Sequence, residues 1–204
     1  MSPADLIKNK AINQVPKSSA SNFNLPNSIT FLRIGLIPVF IWVFSNPTPE
    51  RAFWSVVIFS GAALTDFLDG YLARKSGQVT NLGKLLDPVA DKLLVASGLI
   101  LLVQFQRVSV WLAIVLIARE LIVTGARVVA AREGLVVPAD GMGKIKVVSQ
   151  IFGILCLVAI GIIEPMDHWL HQAGKFLLYV ALVFSLWSAW GYLANIVKRI
   201  GPQW

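Results

Sequence analysis

The sequence predicts an all-α fold of six membrane-spanning helices, and three observations carry that prediction. Only 14% of the 204 residues are charged while 56% are hydrophobic, and the mean hydropathy is +0.69. Soluble domains are about a quarter charged, so there is too little polar surface to coat a water-soluble particle of this size. The apolar residues fall in six blocks, each near the ~20 residues that cross a hydrocarbon core. Cationic residues gather at alternate connections, as the positive-inside rule requires.

Residues 1–27 form a polar tail in which Leu6, Ile7 and Ile12 stand among Lys and Asn. That pattern suits either a short interfacial helix or a frayed terminus. No cleavable leader is evident, so the first apolar block is expected to stay as a membrane helix. The six blocks run approximately over 28–46, 52–73, 84–104, 108–130, 145–164 and 173–197, and residues 28–204 read as one domain. Lys8, Lys10, Lys17, Arg74, Lys75, Lys84, Arg127, Arg132, Lys144, Lys146, Lys198 and Arg199 fall on one side of such a chain, against Arg51, Arg107 and Lys175 on the other. Both termini and the connections after blocks two and four are therefore expected in the cytoplasm. Trp42, Trp54, Trp111, Trp169 and Trp204 lie near block ends, as interfacial anchors do. The net charge of +7 is expected to meet anionic lipid or phosphate, with no nucleic-acid partner. Cys156 is the single cysteine. It excludes an intrachain disulfide and a thiolate metal site, and is expected to be a small buried apolar side chain.

The chemistry is concentrated where blocks two and three meet. Asp66, Asp69, Asp87 and Asp91 are four of the chain's eleven acidic residues, and all sit at or inside the ends of apolar segments. An aspartate at the centre of a membrane helix costs about 2.5–3.5 kcal/mol on insertion scales, and four close together also repel one another. Bound cations would offset both costs. Asp66 and Asp69 are three apart on one helical face, continued by Gly70 and Ala73; Gly83, Asp87 and Asp91 repeat every four residues on the next. Two antiparallel helices would thus aim four carboxylates at one point. Oxygen-only ligands suit Mg²⁺ or Mn²⁺, and four negative charges balance two divalent cations, a pattern suited to phosphoryl chemistry. Gly70, Ala73 and Gly83 leave room for a bulky ligand, and the planar fork of Arg74 suits a phosphate. Taken singly, Asp66 or Asp87 also reads as a helix cap or a partner for Arg74, Lys84 or Lys92. Pro88 is tolerated in the first turns of a helix or else kinks it.

The order Asp-x-x-Asp-Gly-x-x-Ala-Arg, eight residues, then Gly-x-x-x-Asp-x-x-x-Asp, running from Asp66 to Asp91, resembles the signature of the CDP-alcohol phosphatidyltransferases. The resemblance implies six transmembrane helices in a homodimer, with a polar cavity open to the cytoplasm. It implies two divalent metals on Asp66, Asp69, Asp87 and Asp91, and Asp91 as general base. It places the CDP moiety of a CDP-diacylglycerol donor along Gly70, Ala73, Arg74 and Gly83.

Other segments bear on the acceptor. Pro26-Asn27, Thr30 and Arg33 resemble the corresponding stretch of the phosphatidylglycerophosphate synthase branch of that family, which implies glycerol 3-phosphate as acceptor. Asn27 and Thr30, three apart, face the CDP side of such a cavity or cap the helix start. Arg33 falls a turn inside the membrane and calls for a partner. Arg119 and Arg127, with Lys144 and Lys146 beside Gly143 and Gln150, compose a cationic pocket for a phosphate-bearing acceptor, or else serve the positive-inside rule. Glu120 reads as an ion-pair partner of Arg127, one face along. Ala126, Val128 and Val147 depart from that branch's pattern. Inositol phosphate, phosphatidylglycerol and serine are the alternative acceptors, and a divalent-cation transporter is the alternative outside enzymes. His168 and His171 are expected on the fifth connection, at the surface.

Overall fold

A computed structural model describes residues 25–76, 81–132 and 142–200, with side chains described for 30–65, 89–130 and 144–194. Residues 1–24 of the expected tail or interfacial helix over 1–27, and the anchor at Trp204, lie outside the described residues, while Leu25, Pro26 and Asn27 belong to the first helix. Within them there are six α-helices and no strand: α1 Leu25–Phe44, α2 Pro49–Ser76, α3 Asn81–Gln104, α4 Val110–Arg132, α5 Met142–Val158 and α6 Asp167–Ile200, with a 3₁₀ turn at Glu164–Met166 before the last. The sequence's six apolar blocks each become one helix.

The helix starts have local causes. Thr48 caps α2, its Oγ1 accepting the Arg51 amide at 3.3 Å, with Pro49 in the first turn and Glu50 beside the positive end of the helix dipole. Ser109 does the same for α4, accepting the Leu112 amide at 3.3 Å. Between α3 and α4 the chain reverses through Gln106, which takes a left-handed φ of 56°.

Block five ends earlier than its hydropathy suggests, at Val158 instead of 164. Gly161 adopts φ +92°, a conformation glycine takes without a steric penalty, and Pro165 opens the 3₁₀ turn. The Asp167 carboxylate accepts the Gly161 amide at 2.8 Å and starts α6 six residues before the expected 173. His168 and His171 therefore belong to the first turns of α6, not to a connection. His168 is exposed and bonds Gln172 at 2.9 Å, and His171 is partly buried.

Three connections converge at one end. The Phe44 ring, ending α1, meets Phe105 edge-on with centroids 5.3 Å apart. The Arg107 guanidinium lies over both rings and donates to the Leu157 carbonyl at 2.7 Å, satisfying an orphan acceptor at the end of α5. The α1–α2, α3–α4 and α5–α6 turns thus share one end, and α2–α3 and α4–α5 connect at the other. The core fills the space between, with Phe40, Phe59, Leu99, Leu102, Leu116, Ile154 and Leu178 fully buried. Helices α5 and α6 approach each other closely at Gly153 and Gly174. A Cβ on Gly174 would lie 2.6 Å from the Leu157 side chain and 3.0 Å from the Gly153 carbonyl oxygen, so the crossing is built on small residues, as in membrane bundles.

The surface is inverted relative to a soluble protein. Trp42, Trp111, Trp169, Trp187 and Trp190 are each about 70–80% exposed, while Arg33, Arg119, Lys146 and Gln150 are buried. Among the described residues one stretch, Glu164–Ala194, is long and apolar enough by itself to cross a bilayer, and Thr30–Phe44 is a shorter apolar one. Cys156, on α5, is partly buried.

Candidate active site

Asp91 on α3, Glu120 on α4, and Lys146 and Gln150 on α5 line one cavity of about 330 Å³. Lys92 and Thr124 add polar groups. Val89, Leu121, Val147 and Ile151 give much of the apolar wall. Residues 91 and 120 are far apart in sequence from 146 and 150. They meet because α4 and α5 each pack against α3, and the Glu120–Lys146 ion pair bridges α4 and α5. The cavity sits away from the Arg107 end. Lys146 is eleven residues before Leu157, roughly 16 Å along the helix.

The charged centre is a three-helix clasp. Glu120 Oε1 accepts from Arg119 Nη1 at 2.7 Å and from Lys146 Nζ. Arg119 Nε donates to the Ser185 carbonyl on α6 at 2.7 Å, which fixes the guanidinium from behind. A buried cation is tolerated only when paired and hydrogen-bonded, and here two cations share one carboxylate. The clasp therefore keeps one positive charge in excess, on the side that faces the cavity through Lys146. Arg119 itself lies behind Glu120 and lines a separate apolar groove between α4 and α6 with Trp187 and Trp190.

The other acceptor-side candidates do not join them. Lys144 is exposed. It is two residues from Lys146, and positions two apart point to different faces of a helix, so α5 can bury one or the other. Arg127 is exposed and lies over the Tyr192 ring of α6 at 5.5 Å. It is not the partner of Glu120, whose carboxylate turns to Arg119 and Lys146 instead.

On α1, Thr30 and Arg33 are almost fully buried. Arg33 Nε donates to the Ala62 carbonyl on α2 at 3.3 Å, and Thr65 Oγ1 donates to that same oxygen at 2.7 Å. This is one partner of the kind the sequence called for. It ties α1 to α2 one turn before Asp66.

Asn27, Asp66, Asp69, Gly70, Ala73, Arg74, Gly83 and Asp87 fall on α1, α2 and α3, and their side-chain surroundings lie outside the described residues. The backbone gives their positions along the helices. Asp66 lies ten residues before the end of α2 at Ser76, and Asp91 ten residues after the start of α3 at Asn81. Asp69 and Asp87 lie seven and six residues from the same ends. The four positions thus stand at similar sequence distances from the facing ends of two consecutive helices. All are hard oxygen donors, as Mg²⁺ and Mn²⁺ prefer.

The sequence set Gln150 beside the cationic pocket without giving it a contact of its own. Four residues on from Lys146, it shares that residue's helical face, and this was the signal available.

Comparison with known proteins adds identity to this geometry. The model of the CDP-alcohol phosphatidyltransferase family matches residues 23–187. The chain is 41% identical over 185 residues to the CDP-diacylglycerol–glycerol-3-phosphate 3-phosphatidyltransferase of Bacillus subtilis strain 168, covering 85% of this chain and 95% of that protein. It is 37% identical to the protein of that name from Haemophilus influenzae, covering 84% of this chain and 92% of that one. The Escherichia coli K12 protein of the same name is 38% identical, with 84% and 94% covered.

Proposed function

The chain belongs to the CDP-alcohol phosphatidyltransferase family, and from that premise we propose that it transfers the phosphatidyl group of CDP-diacylglycerol to glycerol 3-phosphate, giving phosphatidylglycerophosphate and CMP in phospholipid biosynthesis. Three relatives that carry the name of this reaction, each 37% or more identical over most of both chains, support the acceptor. The observation that carries the reading is the cavity itself. It holds a carboxylate, Asp91, and a buried cation, Lys146, on facing helices within one space. A substrate with a hydroxyl at one end and a phosphate at the other needs that pair.

In the proposed mechanism Lys146 holds the acceptor's phosphate, and Glu120, pinned by Arg119, aims the Lys146 ammonium. Arg119 is thus a positioning residue. Asp91 accepts the proton of the acceptor's primary hydroxyl as that oxygen bonds the phosphorus attached to diacylglycerol. The bond from this phosphorus to the bridging oxygen breaks, and CMP leaves with the electron pair. Asp66, Asp69, Asp87 and Asp91 would hold two divalent cations, Mg²⁺ or Mn²⁺, which when bound supply charge neutralisation at the donor's pyrophosphate. Asn27, Thr30, Gly70, Ala73, Arg74 and Gly83 receive the CDP moiety. The apolar outer surface and buried cations support a bilayer setting. We place the six helices across the cytoplasmic membrane of a bacterium, with both termini and the cavity on the cytoplasmic side, in a homodimer as the family resemblance implies.

A purified-protein assay offering CDP-diacylglycerol with glycerol 3-phosphate, inositol phosphate, serine or phosphatidylglycerol tests the acceptor. CMP release is expected with glycerol 3-phosphate above all. A faster rate with another alcohol overturns the assignment, and cation flux into vesicles without CMP release overturns the enzyme. In the same assay Lys146→Ala is expected to raise the KM for glycerol 3-phosphate about tenfold or more, the worth of a charged hydrogen bond, with the donor KM near wild type. Lys144→Ala, at an exposed position, is expected to change it far less. An unchanged acceptor KM in Lys146→Ala contradicts the pocket.

A further inference from the structure

The acceptor has three polar groups, and the mechanism above uses two of them. Its phosphate goes to Lys146 and its primary hydroxyl to Asp91, which leaves the hydroxyl on its central carbon. The cavity has two uncharged polar side chains among its described lining residues, Thr124 and Gln150. The Thr124 hydroxyl donates to the Glu120 backbone carbonyl at 2.7 Å, so its proton is committed within its own helix. Gln150 differs. It is only 4% exposed, and its Nε2 is buried with no hydrogen-bond partner among the described residues.

A buried amide N–H left unmatched carries the full cost of its desolvation. Unmatched groups of this kind persist where a ligand completes them. Gln150 stands four residues along α5 from Lys146, about 6 Å, on the same face of the helix. A three-carbon phosphate held at Lys146 by one end spans that distance with its carbon chain.

We propose that Gln150 determines acceptor specificity by donating from Nε2 to the central hydroxyl of glycerol 3-phosphate. This rests on the acceptor reading above and adds a residue to it. A three-carbon acceptor with the phosphate and the primary hydroxyl but no central hydroxyl leaves the amide unmatched in the complex. A site built around a hydrogen bond discriminates strongly against an analogue that lacks it.

Propane-1,3-diol monophosphate is that analogue, and the test compares its kcat/KM with that of glycerol 3-phosphate in wild type and Gln150→Leu. Wild type is expected to prefer glycerol 3-phosphate by about tenfold or more. Gln150→Leu is expected to lose most of that preference through a fall on glycerol 3-phosphate, with propanediol phosphate turnover within about threefold of wild type, since that substrate never made the bond. The preference is a ratio within one preparation, so a misfolded fraction cancels. If Gln150→Leu is inactive on both substrates, Gln150→Asn, with a shorter amide, must show a reduced preference. Wild type turning over both substrates equally overturns the proposal, as does a variant that keeps the full preference while losing rate on both. Turnover of neither three-carbon phosphate overturns the acceptor reading along with it.

Discussion

Replacing Asp91 with Asn is expected to lower kcat at least about 10³-fold while CDP-diacylglycerol binding is largely retained. A positioned general base contributes typically about 10²–10⁴ in rate, and Asn is nearly isosteric with Asp but accepts no proton at neutral pH. Asp91 is also proposed to ligate metal, so its loss removes charge as well as basicity, and the effect belongs at the upper end of that range. In the proposed mechanism the donor is held by the other carboxylates and by residues of α1, α2 and the start of α3, none of which the substitution replaces. Titration of CDP-diacylglycerol into the variant checks the binding half, and single-turnover CMP release checks the rate. Turnover near wild type removes Asp91 from the proton transfer.

Chelation is expected to have an effect of similar size. In the proposed site, built from Asp66, Asp69, Asp87 and Asp91 on consecutive helices, an unneutralised centre would hold four carboxylates and then receive a pyrophosphate. Charges of one sign some 4 Å apart interact by roughly 4 kcal/mol even at an effective dielectric of 20, so anionic donor and anionic site are incompatible without cations. EDTA should abolish CMP release and excess Mg²⁺ or Mn²⁺ should restore it. Donor binding should weaken in chelator as well, which separates loss of the cations from loss of the base. Full activity in chelator contradicts the metal site.

Much of the architecture could be read from hydropathy, because a helix that must face lipid cannot hide its composition. The six blocks became six helices, and the grouping of Arg51 and Arg107 away from Lys144 and Lys146 matches the two ends of the bundle. The misplaced boundary at α5 and α6 has a conformational cause. Ile160, Ile162 and Ile163 continue the apolar run, while Gly161 and Pro165 break the helix beneath it. The acidic signature stands out in the sequence because helical periodicity pairs Asp66 with Asp69 and Asp87 with Asp91, and the helices over both segments are present.

The cationic side was less so. Arg119, Glu120, Arg127, Lys144 and Lys146 offer several plausible pairings within and between helices, and the choice among them depends on how α4 turns against α5 and α6. Glu120 and Arg127 lie seven apart on one face, which favoured that pair. Tyr192 draws Arg127 to α6 instead, and α5 presents Lys146, not Lys144, to Glu120. Arg33 shows the opposite case. A buried arginine could be recognised as needing acceptors, but one of them is a backbone carbonyl, Ala62, and backbone groups leave no mark in a sequence.

The most direct measurement is a structure of the protein with glycerol 3-phosphate bound. The phosphate should lie within hydrogen-bonding reach of Lys146 Nζ, with the primary hydroxyl turned toward the Asp91 carboxylate, inside the space enclosed by α3, α4 and α5. An acceptor seated on the exposed side near Lys144 or Arg127, with Lys146 still bonded only to Glu120, would contradict it.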